Sequence, residues 1–83
     1  MIKATIVVML KPSVLDPQGS AVKGSLHSLG FEEVTEVRIG KRMEVWLNTD
    51  NRAEAEARVA AMCDKLLANP VIENYTFELE EGA

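Results

Sequence analysis

The 83 residues are 47% hydrophobic and 27% charged, which is the composition of one small globular domain (residues 1–83) and not of a disordered chain. The formal net charge of −4 argues against general binding of nucleic acid, whose phosphates want a basic face. No apolar run approaches the roughly 20 residues of a membrane span. The one cysteine fits a reducing cytoplasm, and Met1 to Thr5 has a strand pattern and not the layout of a signal peptide, so a cytoplasmic chain is expected.

Residues 2–11 alternate. Ile2, Ala4, Ile6, Val8 and Leu10 point one way; Lys3, Thr5, Val7, Met9 and Lys11 point the other. Period two over this length predicts a strand, and Val7 and Met9 on the second face imply that this face is also partly covered. Pro12 ends the strand. Asp16 suits a helix N-cap, because its carboxylate can accept a backbone N–H two or three residues on. Pro17 then falls at the first helical position, where a missing N–H costs nothing. The first helix is predicted over 17–29, with Val22, Leu26 and Leu29 as its buried stripe and Gly30 just past its end.

A second strand is predicted over 31–40, with Val37 and Ile39 pointing inward, and Gly40-Lys41 reads as a tight hairpin turn or bulge. The third strand runs about 42–48. Met43, Val45 and Leu47 share one face, while Glu44 and Trp46 share the other, the side of Val7 and Met9. Asn51 followed by Glu54 makes a capping box for the second helix. Its stripe is Ala55, Val59, Met62, Cys63, Leu66 and Leu67, and Asn69-Pro70 stops it. A last strand spans about 71–80, with Tyr75, Phe77 and Leu79 on one face.

The order β-α-β-β-α-β predicts an α+β, ferredoxin-like domain. Two split βαβ units form a four-stranded antiparallel sheet with both helices on one face. A chain this short is marginal alone, so association helps it. Together with the apolar residues of the outer face, this predicts a homodimer or homotetramer with Val7, Met9 and Trp46 at the contact.

Little in the sequence carries chemistry. Cys63 sits mid-stripe and reads as a small core residue. His27 is the lone histidine, near a helix end. No Cys-His, Ser-His-Asp or Cys-x-x-Cys spacing occurs, and Gly19, Gly24 and Gly30 are spaced wrongly for a phosphate loop. Glu32, Glu33 and Glu36 read as a solvated face. RNA recognition on such a sheet needs two or three aromatics on the central strands, and only Trp46 is available. No catalytic, cofactor-binding or metal-binding residue is expected on this chain.

The stretch Lys11-Pro-x-Val-Leu-Asp-Pro-Gln-Gly19 resembles the signature of the PurS family, the small subunits of phosphoribosylformylglycinamidine synthase. The likeness continues through Ser28-Leu-Gly-Phe31, Val37-Arg-x-Gly-Lys41 and Met62-Cys-x-Lys-Leu-Leu-Ala-Asn-Pro-Val-Ile-Glu73, so it covers nearly the whole chain. The resemblance implies a non-catalytic subunit in purine biosynthesis. Such a subunit bridges a glutaminase and a large ATP-dependent synthetase and supports the passage of glutamine-derived ammonia to formylglycinamide ribonucleotide. It also implies that ATP and Mg belong to the synthetase, with no cofactor on this chain. Lys11, Asp16, Gln18, Arg38 and Lys41 are then the candidate partner-binding residues. Arg38, Lys41 and Arg42 make a locally basic spot, and surface charges rarely stabilise much by themselves.

Two alternatives share the fold class. An ACT-like module that binds small molecules favours a Gly in the first loop, where this chain has Pro12 and Asp16. An acylphosphatase-type enzyme needs an Arg in a glycine-rich loop after the first strand, and that is missing.

Overall fold

The structure is a computed structural model that describes residues 1–82. In chain order its elements are β1 (Ile2–Leu10), α1 (Pro17–Ser28), β2 (Gly40–Leu47), α2 (Arg52–Met62), a π-helical turn (Cys63–Leu67) and β3 (Glu73–Glu81). The strands form one antiparallel sheet in the order β2-β1-β3. The strongly alternating β1 takes the middle place, the one position that needs partners on both edges. Ala4 lies between Val45 and Leu79, and Ile6 between Met43 and Phe77.

The inner face carries the core. Ile2, Ala4, Ile6 and Val8 of β1 are buried, and α2 lays Ala55 and Val59 on them, followed by Cys63. Each buried Ile or Val contributes roughly 1.5–3 kcal/mol over an exposed one. Asn51 caps α2, accepting the Glu54 N–H at 3.0 Å, but the reciprocal half of the expected capping box is not formed, since the Asn51 N–H donates to Thr49 Oγ1 at 3.2 Å.

Three expectations are corrected. The sheet has three strands, because residues 31–39 form no strand. Their backbone groups are engaged elsewhere: His27 Nε2 donates to the Val34 carbonyl at 2.7 Å, and the Ile39 N–H donates to Asp16 Oδ2 at 3.0 Å. Gly40-Lys41 is accordingly no hairpin turn but the start of β2, with Gly40 opposite Met9. A Cβ on Gly40 would overlap the Met9 sulfur and the Val8 carbonyl, so close approach explains the glycine.

Secondly, only α2 covers the sheet. Gly19 is the single buried residue of α1, and the expected buried stripe is open, with Val22 39% and Leu29 73% exposed. α1 makes no substantial contact with any other element. The chain is elongated as a result. Its Cα radius of gyration is 16.4 Å, against about 12 Å for a compact chain of this length.

Thirdly, the second helix does not keep one register. The Ala68 N–H donates to the Cys63 carbonyl, five residues back, at 3.0 Å. The wide turn rotates the last helical residues about the axis, so Leu66 is 82% exposed although a 3.6-residue period places it in the stripe. Asn69 closes the helical run. Its side-chain oxygen accepts the Val71 N–H, and its carbonyl accepts the Glu73 N–H at 2.7 Å.

Candidate partner-docking surface

Five candidate residues gather at the end of the sheet where β1 finishes and β2 begins. Asp16 is the common member. Its Oδ1 accepts the Gly19 N–H at 2.8 Å, which caps α1, and its Oδ2 accepts the Ile39 N–H at 3.0 Å, which anchors the approach to β2. The Gly19 bond, then the Ile39 bond, with the Arg38 guanidinium near by, holds the Asp16 carboxyl below its ordinary pKa. Gly19 is buried against the 37–39 segment, and a Cβ there would overlap the Val37 carbonyl.

Asp16 separates two shallow hollows. One, of about 280 Å³, is lined by Val8, Leu10, Asp16, Gln18, Lys41 and Glu73 among others. The other, of about 220 Å³, holds Lys11, Asp16, Lys23, Glu36 and Arg38. Lys11, Asp16, Gln18, Arg38 and Lys41 are therefore neighbours in the fold, although 30 positions separate the ends of the set in sequence.

Two of the cations have structural work as well. The Arg38 guanidinium donates to the Leu10 carbonyl, the last of β1. Lys41 Nζ lies 3.8 Å from Glu73 Oε2, and Glu73 also accepts the Asn69 N–H at 2.7 Å. Sequence reasoning missed Glu73 as part of this cluster. Its signal was present, since it ends the Asn-Pro-Val-Ile-Glu run. The Ile39 N–H had no signal, because a backbone donor carries no side-chain pattern.

The candidate oligomer residues are not brought together in the same way. All three lie on the outer face, where Val7 and Met9 are half-buried and Trp46 is 55% exposed. Trp46 pairs across β1 with Lys3, whose Nζ sits 5.7 Å from the indole centroid. Lys3 is four residues from Val7, about 14 Å along a strand. Between them stands a charged row in which Glu44 binds both Lys3 and Arg42 at 2.8 Å.

Cys63 is fully buried, and desolvation, with Asp64 adding to it, pushes its thiol pKa up, away from the reactive thiolate. Among the described residues no three His, Cys, Asp or Glu side chains are placed to hold a metal ion. No helix of the described residues is long and apolar enough to cross a membrane.

Comparison with known proteins gives a single answer. The family model "PurS: Phosphoribosylformylglycinamidine (FGAM) synthase" matches residues 3–81. The phosphoribosylformylglycinamidine synthase subunit PurS of Bacillus subtilis is 53% identical over 81 residues, covering 98% of this chain and 95% of that protein. A crystal structure of Bacillus subtilis PurS superposes with a TM-score of 0.89 over 98% of this chain and 100% of that one. A chain in the structure of PurLQS from Thermotoga maritima does so with a TM-score of 0.84 at 26% identity, covering 96% and 99% of the two chains.

Proposed function

The chain belongs to the PurS family, the subunits of phosphoribosylformylglycinamidine synthase in purine biosynthesis, and from that membership we propose that it bridges the glutaminase and synthetase subunits without chemistry of its own. The observation that carries this is the likeness, over nearly the full length of both chains, to a chain of the Thermotoga maritima PurLQS structure. The cluster around Asp16 supports a docking role. It places cations, a carboxylate and an amide on exposed loops and strand ends, where binding residues are commonly carried by a rigid scaffold. Lys11, Asp16, Gln18, Arg38 and Lys41 are the contact residues in this reading. ATP and Mg belong to the synthetase, and the complex works in the cytoplasm.

Self-association to a dimer or tetramer is part of the proposal. A three-stranded sheet under a single helix leaves much apolar surface open, and Val7, Met9 and Trp46 offer contact points on its outer face.

Reconstitution tests the bridging role. The synthetase and glutaminase from the same source are assayed with and without this chain, first with glutamine and then with ammonia. Glutamine-dependent product that requires the chain, beside ammonia-dependent product that does not, is the expected result. Equal glutamine-dependent rates with and without it overturn the proposal.

A further inference from the structure

The two hollows beside Asp16 differ in chemistry. The first has an apolar lining of Val8, Leu10, Pro17 and Ile39, with the exposed Gln18 and Lys41 also on its wall. The second is lined by three cations, Lys11, Lys23 and Arg38, and by one exposed carboxylate, Glu36, besides Asp16. Leu10 and Asp16 line both, so the hollows adjoin. Their volumes of about 280 and 220 Å³ fall below the roughly 300–1,000 Å³ of pockets that enclose a drug-sized ligand. Each suits a single side chain.

The cations of the second hollow are under-compensated. Lys11 and Lys23 are half-buried, yet neither has an ion-pair partner among the described residues. Lysine leaves water reluctantly without one. Asp16 gives both its oxygens to the Gly19 and Ile39 N–H groups, and the Arg38 guanidinium is held at the Leu10 carbonyl. A carboxylate entering this hollow would find three positive charges and relieve their mutual repulsion, whereas a Lys or Arg would add to it. The first hollow asks for the opposite chemistry, because only an apolar group gains by covering Val8, Leu10 and Ile39.

We propose that one segment of another subunit of the complex occupies both hollows, with an apolar side chain seated in the first and a neighbouring Asp or Glu meeting Lys11 and Lys23 in the second. The apolar side chain is the anchor, since a desolvated pocket is where contact energy concentrates. The carboxylate fixes the register of the segment and speeds its capture, as complementary charges do. This rests on the bridging role and adds what the partner presents at the Asp16 end of the sheet. It also brings Lys23 of α1 into the contact.

The two parts are tested by their different response to salt. The full-length chain is titrated separately into the synthetase and the glutaminase of the same source, at low and at high ionic strength. Lys23→Glu removes the attraction for the carboxylate, and Gln18→Trp plugs the apolar hollow. Arg52→Glu, at the opposite end of the sheet, makes the same change in net charge and serves as control. Circular dichroism confirms that each is folded, with Lys11→Glu and Gln18→Phe repeating the reading for any variant that is not. For the subunit that binds this surface, Lys23→Glu should raise Kd about tenfold at low salt and much less at high salt. Gln18→Trp should raise it at least as much at both, because steric exclusion is not screened. Lys23→Glu that behaves like Arg52→Glu, or Gln18→Trp that binds as the wild type does, overturns the proposal while leaving the bridging role intact. A wild-type chain that binds neither subunit removes the bridging role and this contact together. A rise in Tm with inorganic phosphate at constant ionic strength, abolished by Lys23→Glu while both subunits still bind that variant normally, gives the hollow to a small anion and likewise overturns it.

Discussion

Asp16 and Ile39 are joined across 23 positions by one hydrogen bond, the Ile39 N–H donating to Asp16 Oδ2 at 3.0 Å. The other carboxylate oxygen caps α1 through Gly19. One short side chain thus couples the start of a helix to the entry of β2, and it sets the direction in which α1 leaves the sheet.

That coupling predicts an order of stability. Asp16→Asn keeps an acceptor for the cap but loses one of the two accepting oxygens, and Asp16→Ala loses both. Urea unfolding at neutral pH should rank wild type above Asn and Asn above Ala. The pH dependence comes from the lowered pKa of Asp16, caused by the Gly19 and Ile39 N–H donors. The folded-state pKa lies below the unfolded one, so the stabilisation is complete above the ordinary Asp value of about 3.9 and is lost as pH falls through the folded value. The gap between wild type and Asp16→Asn should close in acid. A gap that stays constant down to about pH 2 excludes the carboxylate as its source.

Two glycines separate close approach from helix propensity. Gly40→Ala forces a Cβ into the Met9 sulfur and the Val8 carbonyl, part of which is backbone that cannot swing away. A loss of about 1–3 kcal/mol is expected, as for overpacking. Gly24 lies within α1 with nothing within 4 Å of an added Cβ. Gly24→Ala should stabilise the chain by about 0.5–1 kcal/mol, mostly through the unfolded state. Denaturant midpoints of the two variants moving in opposite directions check the pair.

Cys63 gives a reporter of opening. Its side chain is fully buried in the core cluster, and burial raises its thiol pKa. Labelling by a thiol reagent under native conditions should therefore be slower than for the urea-unfolded chain by orders of magnitude, and should track the opening equilibrium. Labelling of the native protein as fast as of a free thiol would place Cys63 outside the core. Cys63→Ala should cost about 1 kcal/mol through the small cavity it leaves in the core.

How much was legible in the sequence divides by range. β1 was readable because its alternation is local: Ile2, Ala4, Ile6 and Val8 are buried as the period requires. The caps at Asp16 and Asn51 were readable for the same reason, since each acts on an N–H three residues away. Residues 31–39 were misread as a strand because the groups that decide their state lie far off. Asp16 takes the Ile39 N–H, and Arg38 binds Leu10. The open stripe of α1 was unreadable because spacing shows that a face is apolar and not which surface covers it. The π-helical turn at Cys63–Leu67 adds one residue to a helical turn, and composition carries no mark of that. The clustering of Lys11, Gln18 and Lys41 around Asp16 depended on the resemblance, since nothing local joins them.

Lys41 allows docking to be separated from stability. Its ammonium lies 3.8 Å from Glu73 with 60% of its side chain exposed, the geometry of a surface pair worth about 0–1 kcal/mol. Arg38 also holds the Leu10 carbonyl, so a reversal there disturbs the fold and the surface together. Lys41→Glu should accordingly leave the Tm nearly unchanged and weaken assembly with the synthetase. A factor of about 10, or about 1.4 kcal/mol, is expected for one interface charge reversed. The weakening should grow at low ionic strength and shrink in high salt, because screening mutes the repulsion that replaces the attraction. Titrating the synthetase with wild-type and Lys41→Glu chains at two salt concentrations reads both effects. An unchanged Kd at low salt removes Lys41 from the contact, whereas a large fall in Tm assigns it to the fold.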